Sequence, residues 1–313
     1  MNGDLSRRIE EALATFSPGS QLLRSWPLRG GISGVMTGFE AELPSGETRK
    51  FIARLPCRRT IASNPDLAGD EFRVLKALNA AKLPVQSAVH LESKTEETLD
   101  PFYVVGYVEG KPKLAPADKS RFLTTYATQL AEVHRVDHRL YDFGPLRKQG
   151  RGYPLRPEKL NAELREGEIR DLIENAGGPS SPNPWVFSHG DFWPGNLIWR
   201  DQNLVAVIDW EEVMIGEPLT DLSICRLDLW WILGRDAMEE FTEVYQSLMN
   251  LDLTDLPYWD LCVSLRLINM LEAIGPAYPD LGRPDITTET LKRNHQEFVE
   301  QAMEKLARRQ VVK

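Results

Sequence analysis

The chain has 313 residues, 42% hydrophobic and 27% charged, with a formal net charge of −9 and a sequence pI near 5.3. This composition excludes an intrinsically disordered chain, and its acidic balance argues against broad binding to nucleic-acid phosphates. Cys57, Cys225 and Cys262 lack metal-ligand spacing and suit reduced thiols, and no apolar run reaches the ~18 residues of a membrane span, so a cytoplasmic protein without a membrane partner is expected.

Leu5, Ile9, Leu13 and Phe16 recur at helical spacing, which predicts an amphipathic first helix. Three short strands follow: one ending near Leu28, one from about Val35 to Leu43 and one from Phe51 to Leu55, with "PSGE" turning the second into the third. Between the first two lies "RGGISGVMTG". Its Gly30, Gly31 and Gly34 would let backbone N–H groups approach phosphates closely, or would equally serve a hairpin turn.

Alternation in "FIARLP" puts Phe51, Ala53 and Leu55 on one face of the third strand and Ile52 with Arg54 on the other. The next segment, "DLAGDEFRVLKALNAAKLP", reads as a helix with Leu67, Val74, Leu75 and Leu78 on one side. Glu71 falls inside that apolar stripe, where an unpaired carboxylate is costly, and Arg54 is the nearest candidate cation. Strands at about Val85 to Leu91 and Phe102 to Tyr107 complete a small antiparallel sheet.

From Ala117 the period becomes helical, with Phe122, Leu123, Tyr126, Leu130, Val133 and His134 in step. Further helices are expected at 157–176, 218–233, 236–249, 256–274 and 286–308. The basic run Arg147, Lys148, Arg151 and Arg156 reads as a solvated loop. The expected class is therefore α+β, with an N-terminal lobe at 1–106 and a larger helical lobe at 107–313.

The chemistry concentrates in "WVFSHGDFWPGNLIWRDQNLVAVIDWEE", residues 185–212. Asp191 and Asn196 are five residues apart across a loop with Pro194 and Gly195, and Asp209 ends the next apolar strand. A hairpin turning near Arg200 to Asn203 would set Asn196 beside Asp209. One carboxylate and one amide oxygen suit a Mg²⁺ ion that keeps waters and binds substrate phosphates. Asp191 is then free to take a proton from an attacking hydroxyl.

His-Gly-Asp, four residues, Asn, and later Ile-Asp-Trp-Glu resemble the aminoglycoside phosphotransferase and choline kinase-like family, and "GEPLTDLS", "FYVVGYVEGKPK" and "LAEVHRVD" match in order. The resemblance implies a two-lobed protein-kinase-like fold. It implies that ATP or GTP and Mg²⁺ serve a phosphoryl transfer to a hydroxyl of a small molecule, either an antibiotic or a small alcohol metabolite. It assigns Asp191 as base, Asn196 and Asp209 as magnesium ligands, His189 as scaffold of the loop and Asp221 as its brace. Gly31, Ser33 and Gly34 would face phosphate, and Gly106 and Val108 would meet the nucleotide base through their backbone. Arg54 stands where the family has a strand lysine that touches phosphate and pairs with a helix glutamate, here Glu71.

A nucleotide-binding pseudoenzyme and a magnesium-dependent phosphohydrolase are the alternatives. A protein kinase fits less well, because Trp210 follows Asp209 and no Ala-Pro-Glu segment is present. Trp193, Trp199, Trp210, Trp230 and Trp231 would be core or aromatic walls of the acceptor site. Glu212, Glu217 and Asp228 would line an acidic pocket or face solvent. Nothing in the sequence names the acceptor or an oligomeric state.

Overall fold

The structure is a computed structural model that describes residues 2–28, 34–57, 61–62, 64–93 and 101–311. The chain divides into two compact units. The first comprises Met1–Gly110, His138–Pro145 and Val205–Glu211; the second comprises Lys111–Asp137, Leu146–Leu204 and Glu212–Lys313.

In the first unit, helix α1 (Asn2–Phe16) precedes strands β1 (Gln21–Pro27), β2 (Gly34–Glu42) and β3 (Thr48–Pro56). Helix α2 (Leu67–Ala80) and strands β4 (Ala88–Glu92) and β5 (Phe102–Gly106) follow. The strands form one antiparallel sheet in the order β1-β2-β3-β5-β4. Ile9 and Leu13 of α1 cover Phe39, Phe51, Ala53, Phe102 and Val104 on one face, as the period-2 pattern dictates. Arg54 therefore lies on the opposite face, paired across the ladder with Tyr103. Leu43 and Glu47 close the β2–β3 turn by a backbone hydrogen bond of 2.8 Å. The strand expected from Val85 starts only at Ala88, because Val85 instead makes an isolated bridge with Val207, and Val207 N–H donates to Pro84.

The second unit is mostly helical: α3 (Lys119–His134), α4 (Glu166–Ala176), α5 (Pro218–Leu233), α6 (Arg235–Leu248), α7 (Leu256–Ser264), α8 (Leu271–Ile274) and α9 (Thr288–Val311). Asp118 caps α3 by accepting from the Arg121 N–H at 3.0 Å. Helix α5 has no separate polar face and is buried along almost its whole length, packed by α6, α7 and α9. Short strands β6 (Arg147–Lys148), β7 (Val186–Ser188) and β10 (Met214–Gly216) pair in the order β6-β10-β7. Strands β8 (Leu197–Arg200) and β9 (Asn203–Val207) form the expected hairpin, with Asp201 at positive φ in its turn.

Two helices differ from expectation for one shared reason, Asn161. The helix expected over 157–176 begins only at Glu166. Before it, Asn161 Oδ1 accepts from Leu164 N–H, Glu166 Oε2 accepts from Asn161 N–H, and Arg165 takes φ 58°. The helix expected over 256–274 stops at Ser264 and resumes at Leu271. Asn161 Nδ2 donates to the Ile268 carbonyl, a group that a continuous helix would have given to the following turn.

Candidate active site

In the second unit, the segment after β7 is held from several directions. Asp221, in the first turn of α5, accepts from the backbone N–H of His189 at 2.8 Å and of Gly190 at 3.0 Å. Its side chain is fully buried and also meets His134 Nε2 at 3.2 Å, while His134 Nδ1 lies 2.6 Å from the Tyr245 hydroxyl. Burial alone would raise the Asp221 carboxyl. The hydrogen bond and charge of His134, with the N–H of His189, instead take it below its ordinary value. Tyr126 Oη and Cys225 Sγ both donate to the Phe192 carbonyl. Gly190 has φ 82°, and a Cβ there would lie 2.3 Å from the Glu212 carbonyl oxygen, so no other residue fits.

His189 is buried, and its Nδ1 accepts a hydrogen bond from the Asp191 N–H at 3.2 Å. The Asp191 carboxylate is part-exposed and Asn196 is buried. Asn196 Nδ2 donates to the Asp191 carbonyl at 3.0 Å and to Asp191 Oδ2 at 3.3 Å. Both bonds use the amide nitrogen, which turns Asn196 Oδ1 to the other side, as a metal-facing oxygen requires. Two further residues lie here: Arg266, which the sequence did not single out, and Asp228, expected to line an acidic pocket or face solvent and found buried. Arg266, just past the end of α7, donates from Nη2 to Asp191 Oδ1 at 3.2 Å. Asp228, buried in α5, has its carboxyl pushed up to about 8, by burial first and by the charge of Asp191 second, with Arg266 opposing.

In the first unit, Arg54 is the hub. Its guanidinium meets Glu71 at 3.1 Å, Glu211 at 2.8 Å and Asp209 at 3.4 Å. Glu71 is 6% exposed and also accepts from the Tyr103 hydroxyl at 2.7 Å. Burial pushes the Glu71 carboxyl up against the pull of Arg54, while burial of Arg54 is outweighed by Tyr103 and by the Glu71, Asp209 and Glu211 carboxylates, which raise it. Asp209 sits at φ 66°, a left-handed conformation that Asp tolerates better than most residues, and its carboxylate is only loosely held. Glu211 ends the Ile-Asp-Trp-Glu stretch, but its pairing with Arg54 was not expected from the sequence.

Of the remaining expected residues, Gly31 and Ser33 lie outside the described residues. Gly34 opens β2, and a Cβ there would come within 2.5 Å of the Leu55 carbonyl oxygen, so its glycine is explained by strand approach. Gly106 N–H donates to the Ser87 carbonyl and Tyr107 N–H to that of Lys50. Trp199, Trp210, Trp230 and Trp231 are core, and Trp193 packs over Gly195. Glu217 is taken up by Asn183, and Glu212 pairs with Arg147. A separate cavity of about 500 Å³ in the second unit, lined by Tyr153, Trp185, Tyr258 and Trp259, includes none of the residues around Asp191.

Among the described residues no group of three or more His, Cys, Asp or Glu is arranged to hold a metal ion. A magnesium site built from one carboxylate, one amide oxygen and substrate phosphates needs no such group. No helix among them is long and apolar enough to cross a membrane.

The model of the APH phosphotransferase enzyme family matches residues 43–251, which include every described site residue except Gly34 and Arg266. The chain belongs to that family. Among curated relatives, acyl-CoA dehydrogenase family member 11 of Homo sapiens is 26% identical over 237 residues. That match covers 64% of this chain and only 30% of the human protein. The mouse family member 10 is 25% identical over 268 residues, 74% of this chain and 24% of its own. The fold is similar to that of spectinomycin phosphotransferase, solved with ADP and spectinomycin, at TM-score 0.61 and 14% identity, covering 96% of this chain and 98% of that one. It is equally similar to an APH(2″) enzyme solved with GDP and kanamycin, at TM-score 0.61 and 15% identity, covering 97% and 98%. The two-lobed kinase-like α+β fold is thus that of the APH enzymes.

Proposed function

We propose that this APH protein transfers the γ-phosphate of ATP or GTP to a hydroxyl group of a small molecule, with Mg²⁺ as cofactor. The observation that carries this reading is the Asp191 carboxylate: it is part-exposed on a backbone fixed by Asp221, with Asn196 alongside in the orientation a metal ligand needs. The nucleotides bound in the similar structures support a nucleoside triphosphate as donor.

Asp191 receives the proton of the acceptor hydroxyl as its oxygen forms a bond to the γ-phosphorus. The bridging P–O bond breaks and the electron pair leaves with the nucleoside diphosphate. Asn196 and Asp209 would hold Mg²⁺, which supplies charge neutralisation on the phosphate oxygens when bound. Arg54, already pre-oriented by Glu71, grips phosphate. Val108 would offer its backbone N–H to the base, and Gly106 its carbonyl, since the Gly106 N–H is already used. The phosphate-loop role of Gly31 and Ser33 rests on the sequence. His189 and Asp221 serve the loop rather than the reaction.

Release of ADP or GDP in the presence of a panel of hydroxylated small molecules tests the activity. Asp191→Asn should keep the fold and nucleotide affinity while lowering turnover by ~10²–10⁴-fold, as expected for loss of a positioned base. Turnover within a few-fold of the parent would remove Asp191 from that role. Asp209→Asn should weaken nucleotide binding with Mg²⁺ more than without it, measured by calorimetry. Equal losses in both conditions would make Asp209 purely structural.

A further inference from the structure

Asp221 fixes the backbone at His189 and Gly190, but a carboxylate two bonds further out still rotates about its own side-chain torsions. In this protein the Asp191 carboxylate is held from both ends. Asn196 Nδ2 donates to Oδ2 at 3.3 Å and Arg266 Nη2 to Oδ1 at 3.2 Å. Each oxygen of an ionised carboxylate has two acceptor sites, so both oxygens keep one lone pair for an incoming hydroxyl. Asp228, a buried carboxyl on α5, also feels both charges: Asp191 disfavours its ionisation and Arg266 favours it. Helix α7 ends at Ser264, and Arg266 lies two residues beyond that end.

We infer that Arg266 is a positioning residue for phosphoryl transfer, which fixes the plane of the Asp191 carboxylate toward the acceptor hydroxyl. The inference rests on the phosphotransferase reading above and adds to it a residue beyond the stretch that the family model matches.

The test uses the full chain with MgATP and MgGTP, and with water, glycerol, ethanolamine and glycolate as acceptor probes. Arg266→Met should keep its melting temperature and its KM for nucleotide and alcohol, while kcat falls about 100-fold, the scale expected when a reacting group is displaced by an ångström. Arg266→Lys should be intermediate, because charge survives without the planar fork. Added guanidinium should restore part of kcat in Arg266→Ala, which a residue that only stabilises the fold would not permit. Unchanged kcat in a folded Arg266→Met protein would overturn the inference. A rise in KM confined to glycolate would also overturn it, making Arg266 a binding group for acidic acceptors instead. Transfer in the parent that is no faster than in Asp191→Ala, water included, would remove the phosphotransferase reading itself and this inference with it.

Discussion

Arg54 is one guanidinium facing three carboxylates, and only one of the three partners was legible from sequence. Glu71 could be found because a charged residue inside an apolar helical stripe demands a counterion, and strand alternation put Arg54 on the open face. Glu211 and Arg266 could not be read the same way. Glu211 sits past the end of a strand, where no period constrains it, and the partner of Arg266 is 75 residues away in sequence. The Arg54 cluster makes a stability prediction. Arg54→Met leaves Glu71 buried without its cation and should cost ~3–5 kcal/mol in denaturant unfolding. Adding Glu71→Leu to that variant should recover much of the loss, since an apolar pair of similar size replaces the buried ion pair. A double variant no more stable than Arg54→Met would show that Glu71 is not the stranded charge. The closeness of Asp191 and Asn196 was legible from their spacing across a Pro-Gly loop, and the two are hydrogen-bonded there.

Helices and strands were read well wherever one face repeats, as in α1, α2, α3 and β3, and poorly where a side chain competes with the backbone. Asn161 is the clearest case: its amide takes the Ile268 carbonyl and its own oxygen caps Leu164, so two stretches that look helical are cut short. At the level of α9, His295 gives an acid-stability prediction. Its ring is fully buried beside Trp231, neither nitrogen has a hydrogen-bond partner among the described residues, and burial pulls its pKa down to about 4. The folded state therefore holds the neutral ring while the unfolded chain takes up a proton below about 6.5. Stability is full above that pH, declines as pH falls toward about 4, and levels off below it, with a total span of roughly 3 kcal/mol. His295→Leu should abolish most of that decline when unfolding is followed at pH 7 and pH 5. An unchanged pH dependence would place the acid sensitivity elsewhere.

On the scale of the molecule, class and family were legible, because motif order across some two hundred residues leaves few alternatives. The composition of each unit was not. The first unit takes in His138–Pro145 and Val205–Glu211 in addition to the first 110 residues. Packing over long sequence separations recruits those stretches: Val207 bonds to Pro84, and Asp209 and Glu211 complete the ring around Arg54. A fragment of residues 1–110 lacks them and should unfold with a lower denaturant midpoint and weaker cooperativity than the same unit in the full chain. A fragment as stable as the unit in the full chain would show that the later segments contribute nothing.

That interleaving bears on inheritance. The polypeptide passes from one unit to the other five times between Gly110 and Glu212, so no single crossover in a gene exchanges one unit and leaves the other whole. A recombination event that moves this module must carry both units as one cassette. The curated relatives align with 64% or 74% of this chain, within chains of which the match covers 30% or 24%.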